Sequence, residues 1–226
     1  MAAIEIYGTA NCPFVHRTRL IMTEKGIDFE FIIVDTKNKA DWFLEISPYG
    51  KVPVIKHGDH VLYESAIINE YLDEVFTDKP LMPADPVLRA RDRIWVDYCN
   101  TRIIPAGYAV AKSTPGPERD KAREAAIKNL RFLETDGFGK LSGEGPYLLG
   151  GEPTLADFAL YPFFERMAAH KAYRDYTVPD DCTRINKWFA AMSARPSVKA
   201  HVTSPEEWVE KMAERMADTP TANAAE

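Results

Sequence analysis

The chain opens on an alternation of apolar and polar positions, Ile4-Glu5-Ile6-Tyr7, that stops at Gly8. A period of two marks a half-buried strand. A polar stretch, Thr9-Ala10-Asn11, leads to Cys12-Pro13, and apolar residues then recur at Phe14, Leu20 and Ile21 before Gly26. Proline suits the first helical position, where its missing N–H would be unpaired anyway, and glycine suits a helix end. Residues 13–25 therefore read as a helix. Phe29 to Val34 is rich in β-formers and reads as a second strand. Asp41 to Ile46 suggests a short helix, and Pro48-Tyr49-Gly50 a turn. Val52 to Ile55 and His60 to Tyr63, joined through His57-Gly58-Asp59, read as a hairpin, although a proline inside a strand removes a ladder hydrogen bond and Pro53 needs a special reason. Glu64 to Val75 is helical, with Ile67, Ile68, Tyr71 and Leu72 on a shared face.

The pattern then changes. Pro80, Pro83 and Pro86 crowd into residues 77–86, which reads as a linker. Beyond it the periodicity is helical almost to the end. We expect one long helix over 86–112, kinked at Pro105, and a second over 117–134. Further helices open at Thr154-Leu155-Ala156-Asp157 and span 181–194 and 205–217. The expected organisation is an α/β domain over 1–76 followed by an all-α domain over 87–226. Each is large enough for a core of its own.

Composition narrows the function. Hydrophobic residues make up 46% of the 226 and charged residues 27%, as in ordinary globular proteins. The net charge of −6 argues against a nucleic-acid footprint, which needs a basic excess. No run approaches the roughly 20 apolar residues that span a bilayer, so no membrane partner is expected. Met1-Ala-Ala runs straight into the first strand, without the charged and apolar regions of a signal peptide. The three cysteines, Cys12, Cys99 and Cys182, are too few and scattered for a disulfide framework, which points to a reducing, cytoplasmic compartment. No metal site is assigned. The Ala/Thr-rich end after Met216 is expected to be disordered.

The candidate chemistry sits at Cys12. The first N–H groups of a helix are unpaired and partly positive, so a thiolate placed there is stabilised and its pKa should fall. Arg17 and Arg19, and His16 when protonated, are expected to add positive charge. The sequence Cys12-Pro13-Phe14-Val15 lacks the second thiol of a C-x-x-C pair, so a disulfide formed here must be resolved from outside, with glutathione the abundant candidate. Tyr7 is a rival hydroxyl donor, but its alternation with Ile4 and Ile6 reads as strand packing. Cys99 and Cys182 read as structural.

The chain resembles the glutathione transferases, and the omega class in particular. The resemblance is carried by Cys12-Pro13-Phe14 with Arg17-Thr18-Arg19-Leu20, by Lys37-Asn38-Lys39 with Asp41-Trp42-Phe43, by Val52-Pro53-Val54, and by Tyr63-Glu64-Ser65-Ala66-Ile67. It continues at Phe163-Phe164-Glu165-Arg166, at Trp188-Phe189-Ala190-Ala191-Met192, and at Thr203-Ser204 with Trp208. It implies a thioredoxin-like domain followed by a helical one. It also implies glutathione as co-substrate, with Cys12 forming a mixed disulfide and Phe14 and Lys39 lining the glutathione site. Pro53 resembles a cis-proline that lets the Val52 backbone face the peptide-like ligand. Glu64 and Ser65 resemble the pair that takes the ammonium and carboxylate of the γ-glutamyl end. Lys39 could equally be a solvated charge, Trp208 either a packing residue or a pocket wall, and Thr154 to Asp157 a helix cap. Val15-His16 and Lys51 depart from the usual pattern.

The resulting expectation is a glutathione-dependent thioltransferase or reductase acting on dehydroascorbate, mixed disulfides or S-conjugates. Its partners would be glutathione and small electrophilic or disulfide substrates, and the family habit implies a homodimer. The alternatives are conventional conjugation of glutathione to electrophiles, and a non-catalytic binding or regulatory protein of the same fold.

Overall fold

A computed structural model describes residues 4–141 and 144–217. The expectation of disorder after Met216 falls almost wholly outside them. The first part runs β1 (Ile4–Gly8), α1 (Pro13–Lys25), β2 (Phe29–Ile33), α2 (Asp41–Ile46), β3 (Val54–His57), β4 (His60–Tyr63) and α3 (Ser65–Val75). The four strands lie in the order β2-β1-β3-β4. β1 is parallel to β2 and antiparallel to β3, and β3 is antiparallel to β4. A parallel pair needs a crossover, and α1 supplies it. This is the thioredoxin-like arrangement. Pro53 does not interrupt a strand as expected: it precedes β3, and the Val52–Pro53 peptide is cis.

Strand alternation sorts the first core onto two faces of the sheet. Ile4 and Ile6 meet Val15 and Met22 of α1 and Ile68 and Leu72 of α3. Tyr7 faces the other way, among Val34, Phe43 and Val54. Gly8 sets how closely α1 approaches: a Cβ there would fall 2.5 Å from a methyl of Val15. Gly26 ends α1 in the left-handed region, at φ 69°, as its place after Lys25 predicts.

The second part is helical: α4 (Pro86–Tyr98), α5 (Ile104–Lys112), α6 (Pro117–Phe132), α7 (Leu155–Phe164), α8 (Met167–Arg174), α9 (Thr183–Ala194), α10 (Pro196–Lys199) and α11 (Pro205–Ala217). The long helix expected over 86–112 is divided by a π-helical turn, Cys99–Ile103. Pro105 has no N–H to give and its ring crowds the preceding turn, so the chain widens just before it rather than simply kinking. A second π-helical segment, Leu133–Leu141, follows α6. Neither α8 nor α10 is expected from the pattern.

Helix α1 is clothed from both sides. Its Leu20 and Ile21 join the large helical core with Trp95, Leu160 and Trp188, while Val15 and Met22 serve the first core. Across this seam Arg195 and Ser197 hold the Glu24 carboxylate, and Arg195 also reaches the Tyr147 hydroxyl at 2.6 Å. The linker is pinned by Asp73 of α3. Its carboxylate takes the Lys25 ammonium at 2.6 Å and the N–H groups of Leu81 and Met82 at 2.8 and 2.9 Å.

Candidate active site

Cys12 is the last residue before α1 and adopts extended backbone, with no side chain capping the helix. It is half-buried, whereas Cys99 and Cys182 are buried. The Cys12 thiol pKa is raised above the ordinary cysteine value, the reverse of the depression that its place at a helix start predicts. Burial is the strongest influence and pushes it up; the N–H groups of Val15 and Phe14, then Arg166 and Arg17, pull it back down. The helix start is real, but two domains close over it.

The expected basic neighbours divide. Arg17 does act on Cys12, but its guanidinium is buried and donates to the Ser65 hydroxyl at 3.0 and 2.5 Å and to Asn100 Oδ1 at 2.9 Å. Arg19 turns elsewhere, over the Phe31 ring at 4.5 Å and against His201 at 3.1 Å. His16 adds no charge: its ring is buried with Nδ1 3.3 Å from Glu165, and burial pushes its pKa down. Arg166, quoted in the sequence only as part of a resemblance, is the cation that sequence reasoning missed.

Two residues on from Cys12, which does not itself line it, Phe14 borders a groove of about 190 Å³. Phe14, Val52, Pro53, Glu64 and Ser65 line it, so five predicted positions come together from α1, the turn before β3 and the start of α3. Ser47, Tyr49, Lys51 and Tyr63 join them. Lys51 had been noted only as a departure from a pattern, Tyr63 only as part of a resemblance, and Tyr49 had no signal beyond its turn position. Lys39 is exposed and is not among the lining residues; its Nζ reaches to 3.4 Å from where a Cβ on Gly50 would stand, behind the turn.

Glu64 and Ser65 differ in character. Glu64 is exposed and holds φ 68°, ψ 103°, a conformation that costs a non-glycine residue about 1–3 kcal/mol. It turns the chain from β4 into α3, whose N–H groups no side chain caps. Ser65 is buried, with Arg17 behind its hydroxyl. The arrangement suits a small zwitterion: a carboxylate outside for an ammonium, and an uncapped helix start backed by a buried guanidinium for a carboxylate.

Tyr7 does not compete with Cys12. It lies on the far face of the sheet, its hydroxyl donates to Glu5, and burial and that carboxylate raise its pKa to about 12. Thr154 and Asp157 form a capping box at the start of α7, as their spacing suggested. Trp208 is buried, and its ring lies 4.0 Å from the Arg166 guanidinium carbon.

A family model for the glutathione S-transferase N-terminal domain matches residues 11–75, and one for the C-terminal domain matches residues 116–191. The chain is 30% identical to glutathione S-transferase omega-1 of Mus musculus over 97% of its own length and 88% of that protein's. It is likewise 30% identical to glutathione S-transferase U19 of Arabidopsis thaliana, over 89% and 90%. Among solved structures it superposes on rice GST1, determined in complex with glutathione, with a TM-score of 0.86 and 26% identity over 97% of this chain and 98% of that one. A thioredoxin-like half with a half-buried thiol at a helix start, a helical half packed on it, and this breadth of similarity lead to one conclusion: the chain belongs to the glutathione transferase family, among relatives of both the omega and the tau type.

Proposed function

We propose that this transferase works as a glutathione-dependent thioltransferase or reductase through a Cys12–glutathione disulfide. The observation that carries the reading is a lone half-buried thiol at the start of α1, two residues before Phe14, which with Val52, Glu64 and Ser65 lines a groove. Cys12 thiolate attacks the glutathione sulfur of a mixed disulfide, the S–S bond breaks, and the other thiol leaves as thiolate and is protonated by solvent. A second glutathione thiolate then attacks the enzyme disulfide, oxidised glutathione departs, and Cys12 is regenerated. No internal thiol can take that second role, because Cys99 and Cys182 are buried. In the groove, Glu64 binds the ligand ammonium, Ser65 and the N–H groups of α3 bind its carboxylate, Val52 pairs with its backbone, and Phe14 packs against it. Lys39 serves as a peripheral charge.

Intact-mass analysis after incubation with oxidised glutathione tests this. One added glutathione is expected, located on Cys12 and absent from Cys12→Ser. An adduct on another cysteine, or none on folded protein, would end the reading.

Conventional conjugation is the second reading. The burial that raises the Cys12 thiol favours it as a hydrogen-bond donor to glutathione thiolate. Turnover of an aromatic halide that exceeds turnover of a mixed disulfide would select it. We also propose a homodimer through the outer faces of α3 and α4. They carry the exposed Ile67 and Ile94 and border a second groove, of about 400 Å³, lined by Glu70, Glu74, Arg89 and Arg93. Sedimentation as a monomer at micromolar concentration would refute it.

A further inference from the structure

We propose that Arg166, brought by the helical domain, is the positioning counter-charge of Cys12: seated on Trp208 and tied to the residue before the thiol, it holds the thiolate in both halves of the exchange. This rests on the thiol-transfer reading above and adds a residue from outside the glutathione groove.

The geometry is specific. Arg166 stands where α7 gives way to α8, and its side chain is 11% exposed. One nitrogen donates to the Pro162 carbonyl, which fixes the guanidinium to its own domain. Another donates to the Asn11 carbonyl at 3.3 Å, one residue before Cys12 and in the other domain. The flat face lies on the Trp208 ring at 4.0 Å, and α11, which carries Trp208, packs along α8. A guanidinium on an indole face keeps its charge while shielded from water.

The charges around it leave that charge available. Among the described residues Glu165 is the carboxylate that acts on Arg166, at 3.6 Å, and its oxygens are shared: one stands 3.3 Å from His16 Nδ1, the other accepts from the Thr203 N–H at 3.2 Å. Tyr108 of α5 and Tyr161 of α7 also face Arg166, and Tyr161 is pushed up to about 12 and stays neutral. His170 of α8 is driven down to about 4, by burial first and by Arg166 next, so it too is neutral. Lys211 approaches the same Trp208 ring at 5.2 Å. Cys12 and Arg166 each favour the charged form of the other. Arg17 also acts on Cys12 but is committed to Ser65 and Asn100.

The chemistry needs such a group twice. In the first step Cys12 must attack as thiolate. In the second it departs as thiolate, and a leaving group of lower pKa departs faster. A cation fixed one residue from Cys12, whose charge acts on the thiol, assists both steps against the burial that opposes ionisation.

The test is the rate of Cys12 alkylation by iodoacetamide against pH, without glutathione, with the adduct located by mass. For Arg166→Gln the rate at pH 7 is expected to fall about tenfold, because an opposite charge close by shifts a pKa by about 1–3 units. The deficit should narrow once pH rises through the wild-type thiol's own pKa, and Arg166→Lys should recover most of the rate. Trp208→Leu, which keeps the charge without its platform, should show the same pH-dependent deficit in smaller measure; it carries the test if Arg166→Gln does not fold. Profiles that coincide with wild type, or a deficit that persists unchanged above the pH at which the wild-type rate has levelled off, overturn the proposal. Glutathionylation of wild type separates the two readings. If it occurs while the profiles coincide, the Arg166 proposal alone falls; if folded wild type takes no glutathione, thiol transfer falls.

Discussion

Helices α1 and α3 start differently from α7, and the contrast bears on the proposed chemistry. At α7 the unpaired N–H groups are filled from within. Asp157 takes the Thr154 N–H at 2.7 Å and, with its other oxygen, the Leu148 N–H and the Trp188 indole at 2.9 and 2.8 Å. Asp92 reaches in from α4 to take the Ala156 N–H at 3.0 Å. Helix α9 is closed in the same manner by Glu134, which accepts from Arg184 and Ile185 at 2.9 Å. Among the described residues, neither Cys12 nor Glu64 caps its helix with a side-chain hydrogen bond. Orphan N–H groups require partners, and here the residues at the start are a half-buried thiol and a strained glutamate beside a groove. Carboxylates at a helix start build the fold; a start left uncapped beside a groove is suited to a ligand's charge.

The sharpest way to break this contrast is Cys12→Ser. Thiol transfer should fall to background, since an alcohol is hardly ionised at neutral pH and cannot form the disulfide, while calorimetry should show glutathione still bound at the start of α3. Loss of binding along with turnover would mean that the two starts are not separable.

Glu64→Gly comes next, because it moves two observables in opposite directions. Glycine tolerates φ 68°, so stability should rise by about 1 kcal/mol. Loss of the carboxylate should weaken glutathione binding by about 1.5–3 kcal/mol. Ser65→Ala should weaken binding and also destabilise by about 1–3 kcal/mol, because the buried Arg17 loses a partner. Paired denaturant and calorimetric titrations read both quantities, and parallel changes in Glu64→Gly would count against a functional origin for the strain. Lys39→Ala should alter affinity by less than about 1 kcal/mol, as for an exposed charge.

The last effect concerns α7, where no ligand is involved. Burial raises the Asp92 carboxyl from 3.8 to about 7 in the folded state. The folded protein therefore binds more protons than the unfolded one between these values. The contribution of Asp92 to stability is fully present below pH 4 and is lost as pH rises through about 7. Asp92→Asn, which can still accept from Ala156, should flatten that part of the Tm–pH curve and leave glutathione affinity unchanged. An unaltered slope would show that Asp92 does not titrate there.

By itself the sequence determined what depends on neighbouring residues. Alternation in Ile4-Glu5-Ile6-Tyr7 sorted the two faces of β1, Pro13 and Gly26 marked the ends of α1, and Thr154 with Asp157 announced a capping box, because each rests on contacts a few residues apart. The same local logic placed Cys12 at a helix start. Tertiary structure decided what depends on who sits opposite. α1 is packed on two sides, so the partners of its polar residues come from far along the chain: Ser65 and Asn100 for Arg17, Glu165 for His16, Asp73 for Lys25, His201 for Arg19. Nothing in the spacing of residues 12–25 predicts those pairings, nor that burial would lift the Cys12 thiol while Arg166 draws it down. Hydrogen-bonded caps and strand alternation act over a few residues, whereas desolvation and Coulomb forces at a buried sulfur depend on every group the fold brings near it, and only the closing of one domain over the other sets that environment.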